Sequence, residues 1–164
     1  MSKTEQNLQD AFAGESQANR KYLAFAKKAD KEGFKQAAKL FRAAAEAETV
    51  HAHNHLKQLD GIKSTKENLE AAINGESFEF QTMYPQMIKD AEEEGNKGAL
   101  RSFNFANDVE KVHAELYQKA LDSLGSNEET DYFVCEICGY TAEGAAPDKC
   151  PVCNVKKEMF RKVD

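Results

Sequence analysis

Apolar side chains recur every three or four residues through most of the first 124 positions, the spacing that places them on one face of an α-helix. The pattern predicts four helices, over about residues 4–30, 34–59, 64–95 and 96–124. Gly33 and Gly95 separate the helices of each pair, and Ser64 with Glu67 has the sequence of a capping box. Proline has no amide proton and crowds the preceding turn, so Pro85 is expected to kink the third helix or to free the carbonyl of Gln81.

The composition changes abruptly after the fourth helix. Residues 126–131 are polar and acidic and are predicted to be a linker that joins a helical domain, residues 1–125, to a small domain, residues 132–164. The sequence Tyr132-Phe133-Val134 favours a short strand. So short a domain cannot bury enough apolar surface to fold alone, so a bound metal is the expected source of its stability.

The four predicted helices form a repeat of two. Gly14-Glu15-Ser16 returns as Gly75-Glu76-Ser77, an offset of 76 − 15 = 61 residues. From the pair Tyr22 and Tyr84 onward the offset is 62 residues. The same offset relates Glu48 to Glu110 and His51 to His113. The recurrence predicts two helical hairpins related by a pseudo-two-fold axis.

Each half contains the motif Glu-x-x-His, which on a helix places a carboxylate and an imidazole side by side. Both motifs fall in apolar stripes, so they are expected to point inward, where a carboxylate is costly unless it is paired or binds a metal. The candidate ligands on these inner faces are Glu15, Glu48, His51, Glu76, Glu79, Glu110 and His113.

Taken singly, such residues have ordinary explanations. A lone glutamate near an apolar stripe is usually solvated at the helix edge, and a lone histidine is usually a surface or hydrogen-bonded residue. The repeat favours ligation instead, and one glutamate from each of two helices with Glu-x-x-His from the other two is the pattern of di-iron and di-manganese carboxylate proteins. Glu79 has no counterpart in the first half. His53 and His55 break the pattern and are interpreted as non-ligands.

Tyr22 and Tyr84 also face inward. They either hydrogen-bond to ligand carboxylates or pack as core aromatic residues, and the sequence leaves both open.

Composition and charge narrow the class of protein. Hydrophobic residues make up 41% and charged residues 30%, which is typical of a globular protein, and the formal net charge is −6. An acidic chain is a poor partner for nucleic acid or anionic membrane. The chain has no apolar run of membrane-spanning length and no signal-peptide pattern at its start, so we expect a cytoplasmic protein.

The four cysteines, Cys135, Cys138, Cys150 and Cys153, form two Cys-x-x-Cys pairs. This spacing indicates a tetrathiolate metal site, and Gly139 and Pro151 favour tight turns that aim backbone amides at the sulfurs. The spacing does not distinguish a zinc ribbon from a one-iron centre. Cysteines alone favour zinc, whereas a neighbouring dinuclear centre that needs an electron source favours iron.

Five motifs together resemble the rubrerythrin family over nearly the whole chain. They are Ala13-Gly14-Glu15-Ser16-Gln17, Glu48-x-x-His51, Gly75-Glu76-x-x-Glu79 followed by Met83-Tyr84-Pro85, Glu110-x-x-His113, and the tail Cys135-x-x-Cys138-Gly139-Tyr140 with Cys150-Pro151-x-Cys153. The resemblance implies a ferritin-like four-helix bundle with a non-haem di-iron centre, followed by a rubredoxin-like domain with one iron.

The resemblance also implies roles for the ligands. Glu48 and Glu110 would bridge the two irons, and His113 would hold one of them. Glu15 and Glu76 would be terminal ligands. His51 and Glu79 would exchange at the first iron, the imidazole binding the reduced state and the carboxylate the oxidised state.

The implied activity is the reduction of hydrogen peroxide in oxidative-stress defence. Electrons would come from NAD(P)H through a separate reductase, or from a rubredoxin, and pass through the tetrathiolate iron. Members of the family form head-to-tail homodimers, some with exchanged helices.

Two rival functions fit parts of the sequence. A ferroxidase that oxidises ferrous iron with dioxygen fits the helical domain but leaves the cysteine domain without a purpose. A zinc-ribbon adaptor on a structural bundle predicts colourless protein with zinc at the cysteines and no metal at the carboxylates.

Overall fold

The computed structural model describes residues 1–163, so Asp164, the last residue of the predicted small domain, lies outside the described residues. The described chain forms two compact units, Met1–Lys63 and the part from Ser64 onward. The elements are α1 (Lys3–Lys31), α2 (Lys35–Gln58), α3 (Thr65–Phe78), a π-helical turn (Glu79–Met83), α4 (Tyr84–Glu93), α5 (Lys97–Asp122), β1 (Tyr132–Cys135), β2 (Thr141–Glu143), a 3₁₀ turn (Lys157–Met159) and β3 (Phe160–Val163). The predicted class, a mainly helical chain with a small β domain, is confirmed.

The first unit is a hairpin of α1 and α2. Gly33 adopts φ +85°, and the amide of Phe34 donates to the carbonyl of Ala29, which ends α1 in the manner of a Schellman motif. The facing side of α2 carries three buried alanines seven residues apart, Ala38, Ala45 and Ala52. Small side chains at this interval let the two helices pack closely along their length.

The second unit repeats this plan with α3, the π turn and α4 packed against α5. Ser64 and Glu67 form the predicted capping box, and Ser2 and Glu5 form another at the start of α1. Gly95, at φ +67°, ends α4 as Gly33 ends α1. Helix starts and stops therefore recur in both halves, as the sequence repeat predicts.

The π turn accounts for the change of offset within the repeat. In it the amide of Tyr84 donates to the carbonyl of Glu79, five residues back instead of four. The offset is 61 at Glu76 and 62 at Tyr84, so the second half contains one extra residue between these positions. A π turn takes up an additional residue without ending the helix. The turn ends at Met83, two residues before Pro85, where the sequence predicted a kink or a freed carbonyl.

The small domain contains a three-stranded antiparallel sheet with strand order β2-β1-β3. Phe133 on the central strand pairs with Ala142 on one side and Lys162 on the other. Cys135, at the end of β1, and Cys150 are among the least exposed residues of the molecule. The core of this domain is thus built around its cysteines.

The helical units bury little besides alanine. Across residues 1–163 no leucine, isoleucine, methionine, phenylalanine or tyrosine is fully buried, and Phe34, Leu40 and Phe78 are 63, 69 and 58% exposed. No described helix combines the length and apolar character needed to cross a bilayer. The exposed apolar side chains are distributed over several helices and are not concentrated on one of them.

Candidate metal centres

The first unit brings Glu15, Glu48 and His51 together. α2 places Glu48 and His51 one turn apart, with Nδ1 of His51 2.9 Å from Oε2 of Glu48. α1 supplies Glu15, whose Oε1 lies 3.8 Å from the same nitrogen. One nitrogen and two carboxylates therefore converge, and their ligand atoms all lie within 4.8 Å of one another.

The second unit brings Glu76, Glu110 and His113 together in the same way. Nδ1 of His113 lies 2.8 Å from Oε2 of Glu110 and 3.8 Å from Oε1 of Glu76. These distances agree with those of the first triad to 0.1 Å, since 2.9 − 2.8 = 0.1 and the longer distances are equal. The repeat in the sequence is thus also a repeat in the geometry of the candidate ligands.

The triads have the spacing and chemistry of metal sites. With metal–oxygen and metal–nitrogen bonds of about 2.1 Å, neighbouring ligand atoms at right angles lie about 3 Å apart, close to the shorter contacts in both triads. Carboxylate oxygens with imidazole nitrogen suit iron or manganese. The donor set therefore fits the metals that the sequence predicts.

The second triad carries excess negative charge. Burial raises the pKa of Glu76 to about 7, helped by the charge of Glu110 and a hydrogen bond between the two carboxyl groups. Burial also raises the pKa of Glu79, and Glu110 adds to the effect while His113 opposes it. Because like charges crowd here, a bound cation would stabilise the ionised forms of all these carboxyl groups.

The two histidines differ in exposure. The His113 side chain is 26% exposed, whereas that of His51 is 54% exposed. The expectation that both Glu-x-x-His pairs point into a buried core is therefore wrong for His51 within its own unit, because α1 and α2 alone do not cover it. Glu79 lies outside the second triad, although Glu110 and His113 both influence its pKa.

The two tyrosines and His53, which the sequence analysis also considered, lie outside the groups of candidate ligands. The ring of Tyr22 lies 6.3 Å from that of Phe41, and the ring of Tyr84 lies 6.3 Å from that of Phe103. These contacts favour the packing interpretation of both tyrosines. His53 borders a groove between α1 and α2 and does not join the first triad.

The four cysteines form the other group of candidate metal ligands. Sγ of Cys135 lies 3.6 Å from Sγ of Cys153, and Sγ of Cys138 lies 3.4 Å from Sγ of Cys150. Four sulfurs bonded at about 2.3 Å around a tetrahedral metal lie about 3.8 Å apart, so only a slight outward adjustment separates these thiols from a metal-bound set.

Two matching turns hold these cysteines. The residue after each Cys-x-x-Cys pair, Gly139 or Asn154, has a left-handed backbone, with φ of +86° and +61°. Its amide donates to the carbonyl of the first cysteine of the pair at 2.9 Å in both turns. The turns also aim backbone amides at sulfur: burial raises the pKa of Cys138, while the Tyr140 amide acts in the opposite direction. The sequence predicted such amides.

One contact in the second unit was not predicted. Nε2 of His113, on α5, lies 3.0 Å from Oγ1 of Thr141, on β2. Lys119 forms an ion pair with Glu143 beside it. Thr141 belongs to no recognisable motif, and its neighbourhood depends on how the small domain packs against α5, so nothing in the local sequence indicates the contact.

Two family models match the chain. The model described as "Rubrerythrin" matches residues 6–121, and the model described as "Rubrerythrin, rubredoxin-like domain" matches residues 133–161. Among curated relatives, the chain is 39% identical to rubrerythrin of Porphyromonas gingivalis, with 97% of this chain and 89% of that protein covered. It is 37% identical to nigerythrin of Nitratidesulfovibrio vulgaris, with 96% and 85% covered.

A solved structure of nigerythrin is also similar. The structure titled "Fully reduced state of nigerythrin (all ferrous)" has a TM-score of 0.60 at 36% identity and covers 99% of this chain and 88% of that one. The predicted fold, a ferritin-like helical part with a rubredoxin-like domain, is confirmed by this likeness and by the two family models.

Proposed function

The chain belongs to the rubrerythrin family, and on this basis we propose that it is a cytoplasmic non-haem di-iron peroxidase that reduces hydrogen peroxide to water. The observation that carries the proposal is the pair of matching Glu/Glu/His triads in a chain that also carries a four-cysteine site. The triads provide for a dinuclear centre, and the four-cysteine site provides for an electron carrier.

The proposed ligand roles follow the repeat. Glu48 and Glu110 would each hold both irons, and Glu15 and Glu76 would complete the carboxylate set. His113 would hold one iron. A ferritin-like centre needs ligands from four helices, so both triads contribute.

His51 and Glu79 are proposed to exchange at the other iron. Two observations support this exchange. The side chain of His51 is exposed, and Glu79 lies outside the nearest triad, so neither side chain is enclosed by its neighbours. The raised pKa of Glu79 also suits a group that takes up and releases a proton.

When bound, the irons supply the two electrons and the Lewis acidity that the cleavage of the peroxide O–O bond requires. Two protons are also needed to give two waters. Glu79 is positioned near Glu110 and His113, so its carboxyl group is the proposed proton donor. Electrons are replaced at the four-cysteine site by an NAD(P)H-dependent reductase or a rubredoxin.

A second copy of the chain is the proposed partner in the assembly. Each helical unit buries mainly alanine, and large apolar side chains such as Leu40 and Phe78 are exposed. Apolar surface of this kind favours association with a like surface. The homodimer is tested by light scattering after size-exclusion chromatography, where a monomer at micromolar concentration would contradict it.

The activity is tested with anaerobically purified, iron-loaded and reduced protein. We expect about three irons per chain from the ligand sets, and faster reoxidation by hydrogen peroxide than by dioxygen. A ferroxidase would show the opposite preference. Colourless protein with zinc at the cysteines and no metal at the carboxylates would overturn the proposal.

A further inference from the structure

Thr141 joins the two kinds of metal site within the second unit. Its Oγ1 lies 3.0 Å from Nε2 of His113 and donates to the carbonyl oxygen of Gly139 at 3.3 Å. The Gly139 carbonyl and the Tyr140 amide belong to the same peptide bond, and this amide donates a hydrogen bond to the sulfur of Cys138. An unbroken chain of hydrogen bonds therefore runs from the imidazole to the thiol.

The direction of these hydrogen bonds depends on whether a metal occupies the triad. Nδ1 of His113 faces Glu110 and Glu76, so it is the nitrogen available to a metal. A metal on Nδ1 forces the ring proton onto Nε2, which then donates to Oγ1 of Thr141. The hydroxyl proton of Thr141 is then directed to the Gly139 carbonyl.

Without metal, the proton can sit on Nδ1 and face Glu110. Nε2 of His113 is then an acceptor and competes with the Gly139 carbonyl for the single hydroxyl proton of Thr141. Metal binding at the triad removes this competition.

The consequence reaches the cysteines. A hydrogen bond to the Gly139 carbonyl polarises the peptide group and makes the Tyr140 amide a better donor. Hydrogen bonds to the sulfurs of an iron site stabilise the reduced, more negative state and so raise the reduction potential.

We propose that Thr141 is a positioning residue that couples the two metal sites, so that a metal ion at the His113 triad makes the iron of the four-cysteine site easier to reduce. The proposal extends the function proposed above. It requires only that both sites bind metal, not that peroxide is the substrate.

The contacts around Thr141 allow it to be changed without releasing the domain. Lys119 on α5 pairs with Glu143 on β2, and Gly139 lies beside Val109 of α5, so the hydroxyl of Thr141 is not all that keeps β2 near α5. Valine matches threonine in shape and favours strands, so Thr141→Val removes the hydroxyl with little other change. Thr141→Ser keeps the hydroxyl.

The test uses the full chain with iron at the cysteines and the carboxylate sites either empty or filled with Mn²⁺, which prefers oxygen ligands to thiolates. The reduction potential of the cysteine-bound iron is measured by spectroelectrochemistry. We expect Mn²⁺ to shift it to more positive values in the wild type and in Thr141→Ser, and to shift it less in Thr141→Val. The charge of Mn²⁺ also acts through space, but it does so equally in all three proteins. The difference in potential shift between Thr141→Val and the other two proteins therefore measures the effect of the hydroxyl.

A second readout is the affinity for Mn²⁺. Removing the acceptor of the His113 Nε2 proton is expected to weaken binding by roughly 10–100-fold. The control is Lys119→Ala, which weakens docking but leaves the hydrogen-bond chain intact and should keep the full shift. An equal shift in Thr141→Val and wild type, or no shift in wild type, overturns the proposal. Lack of peroxidase activity would overturn the proposed function alone.

Discussion

Nδ1 of His113 lies 2.8 Å from Oε2 of Glu110, which matches the 2.9 Å between His51 and Glu48 in the other half of the chain. Both pairs arise from the same local rule, because residues three apart on a helix share a face. The shared geometry makes each half a control for the other.

The first prediction concerns these two histidines. His51→Ala and His113→Ala should each weaken metal binding by at least the roughly 10–100-fold seen when an outer partner of a ligand is removed. The affinity for Mn²⁺ is measured by isothermal titration calorimetry. His53→Ala is the control, since His53 lies outside both triads. Unchanged affinity in either triad variant would remove that histidine from the ligand set.

The second prediction concerns Glu79. Glu79→Ala should slow peroxide turnover while the iron content stays the same, because the proposed proton donor is lost and the residues of both triads remain to bind iron. Turnover and iron content are measured on one preparation. Glu115→Ala, an exposed glutamate on α5, is the matched control. Turnover equal to that of the control would show that Glu79 has no part in the reaction.

The third prediction concerns the π turn. Deleting Thr82 together with Pro85→Leu removes the extra residue and supplies Leu, which stands at the equivalent position 23, since 85 − 62 = 23. The helix should become regular and at least as stable, because Pro85 no longer crowds the preceding turn.

Turnover of the deletion variant should fall, since the π turn begins at Glu79 and sets its backbone direction. Thermal unfolding followed by circular dichroism and the peroxidase assay measure the two effects. Full activity in a well-folded variant would show that the π turn does not position Glu79.

The fourth prediction concerns pH. Burial raises the pKa of Glu76 in the metal-free protein to about 7, above its ordinary value of 4.5. The folded state therefore holds this proton more tightly than the unfolded state. The stability that Glu76 contributes is full below about pH 4.5 and is lost as the pH rises through about 7.

Urea unfolding of metal-free protein near pH 5 and near pH 8 tests this expectation. The wild type should lose more stability at the higher pH than Glu76→Gln, which has no proton to lose. Equal losses in the two proteins would contradict it.

The fifth prediction concerns the small domain. Cys150→Ser should abolish the visible absorption of the tetrathiolate iron and unfold this domain, because a fragment of this size depends on its metal. The far-ultraviolet circular dichroism of the helices should change little. A variant that retains tetrathiolate absorption would show that Cys150 is not a ligand.

The sequence predicted what depends on local periodicity. The helices, the capping box at Ser64 and the paired triads follow from spacings of three, four and seven residues and from the repeat. Ligation itself stays a prediction, as do the domain boundaries at residues 125 and 132.

The features that were missed depend on contacts between distant segments or on a single residue. The contact of Thr141 with His113 joins residues 28 apart, from a helix and a strand. The exposure of His51 depends on what covers α1 and α2, which no pattern within α2 reveals. The change of offset from 61 to 62 was visible in the sequence, but only the backbone of Glu79–Met83 shows how the helix absorbs it.

Both hairpins begin with the same device, a serine whose hydroxyl accepts the amide of a glutamate three residues on: Ser2 with Glu5 and Ser64 with Glu67. Each half thus has its own capping box at the start of its first helix, together with a full triad. A single hairpin therefore contains both a signal that starts its first helix and one complete set of candidate ligands, which makes the hairpin the smallest part of the chain in which metal binding can be sought.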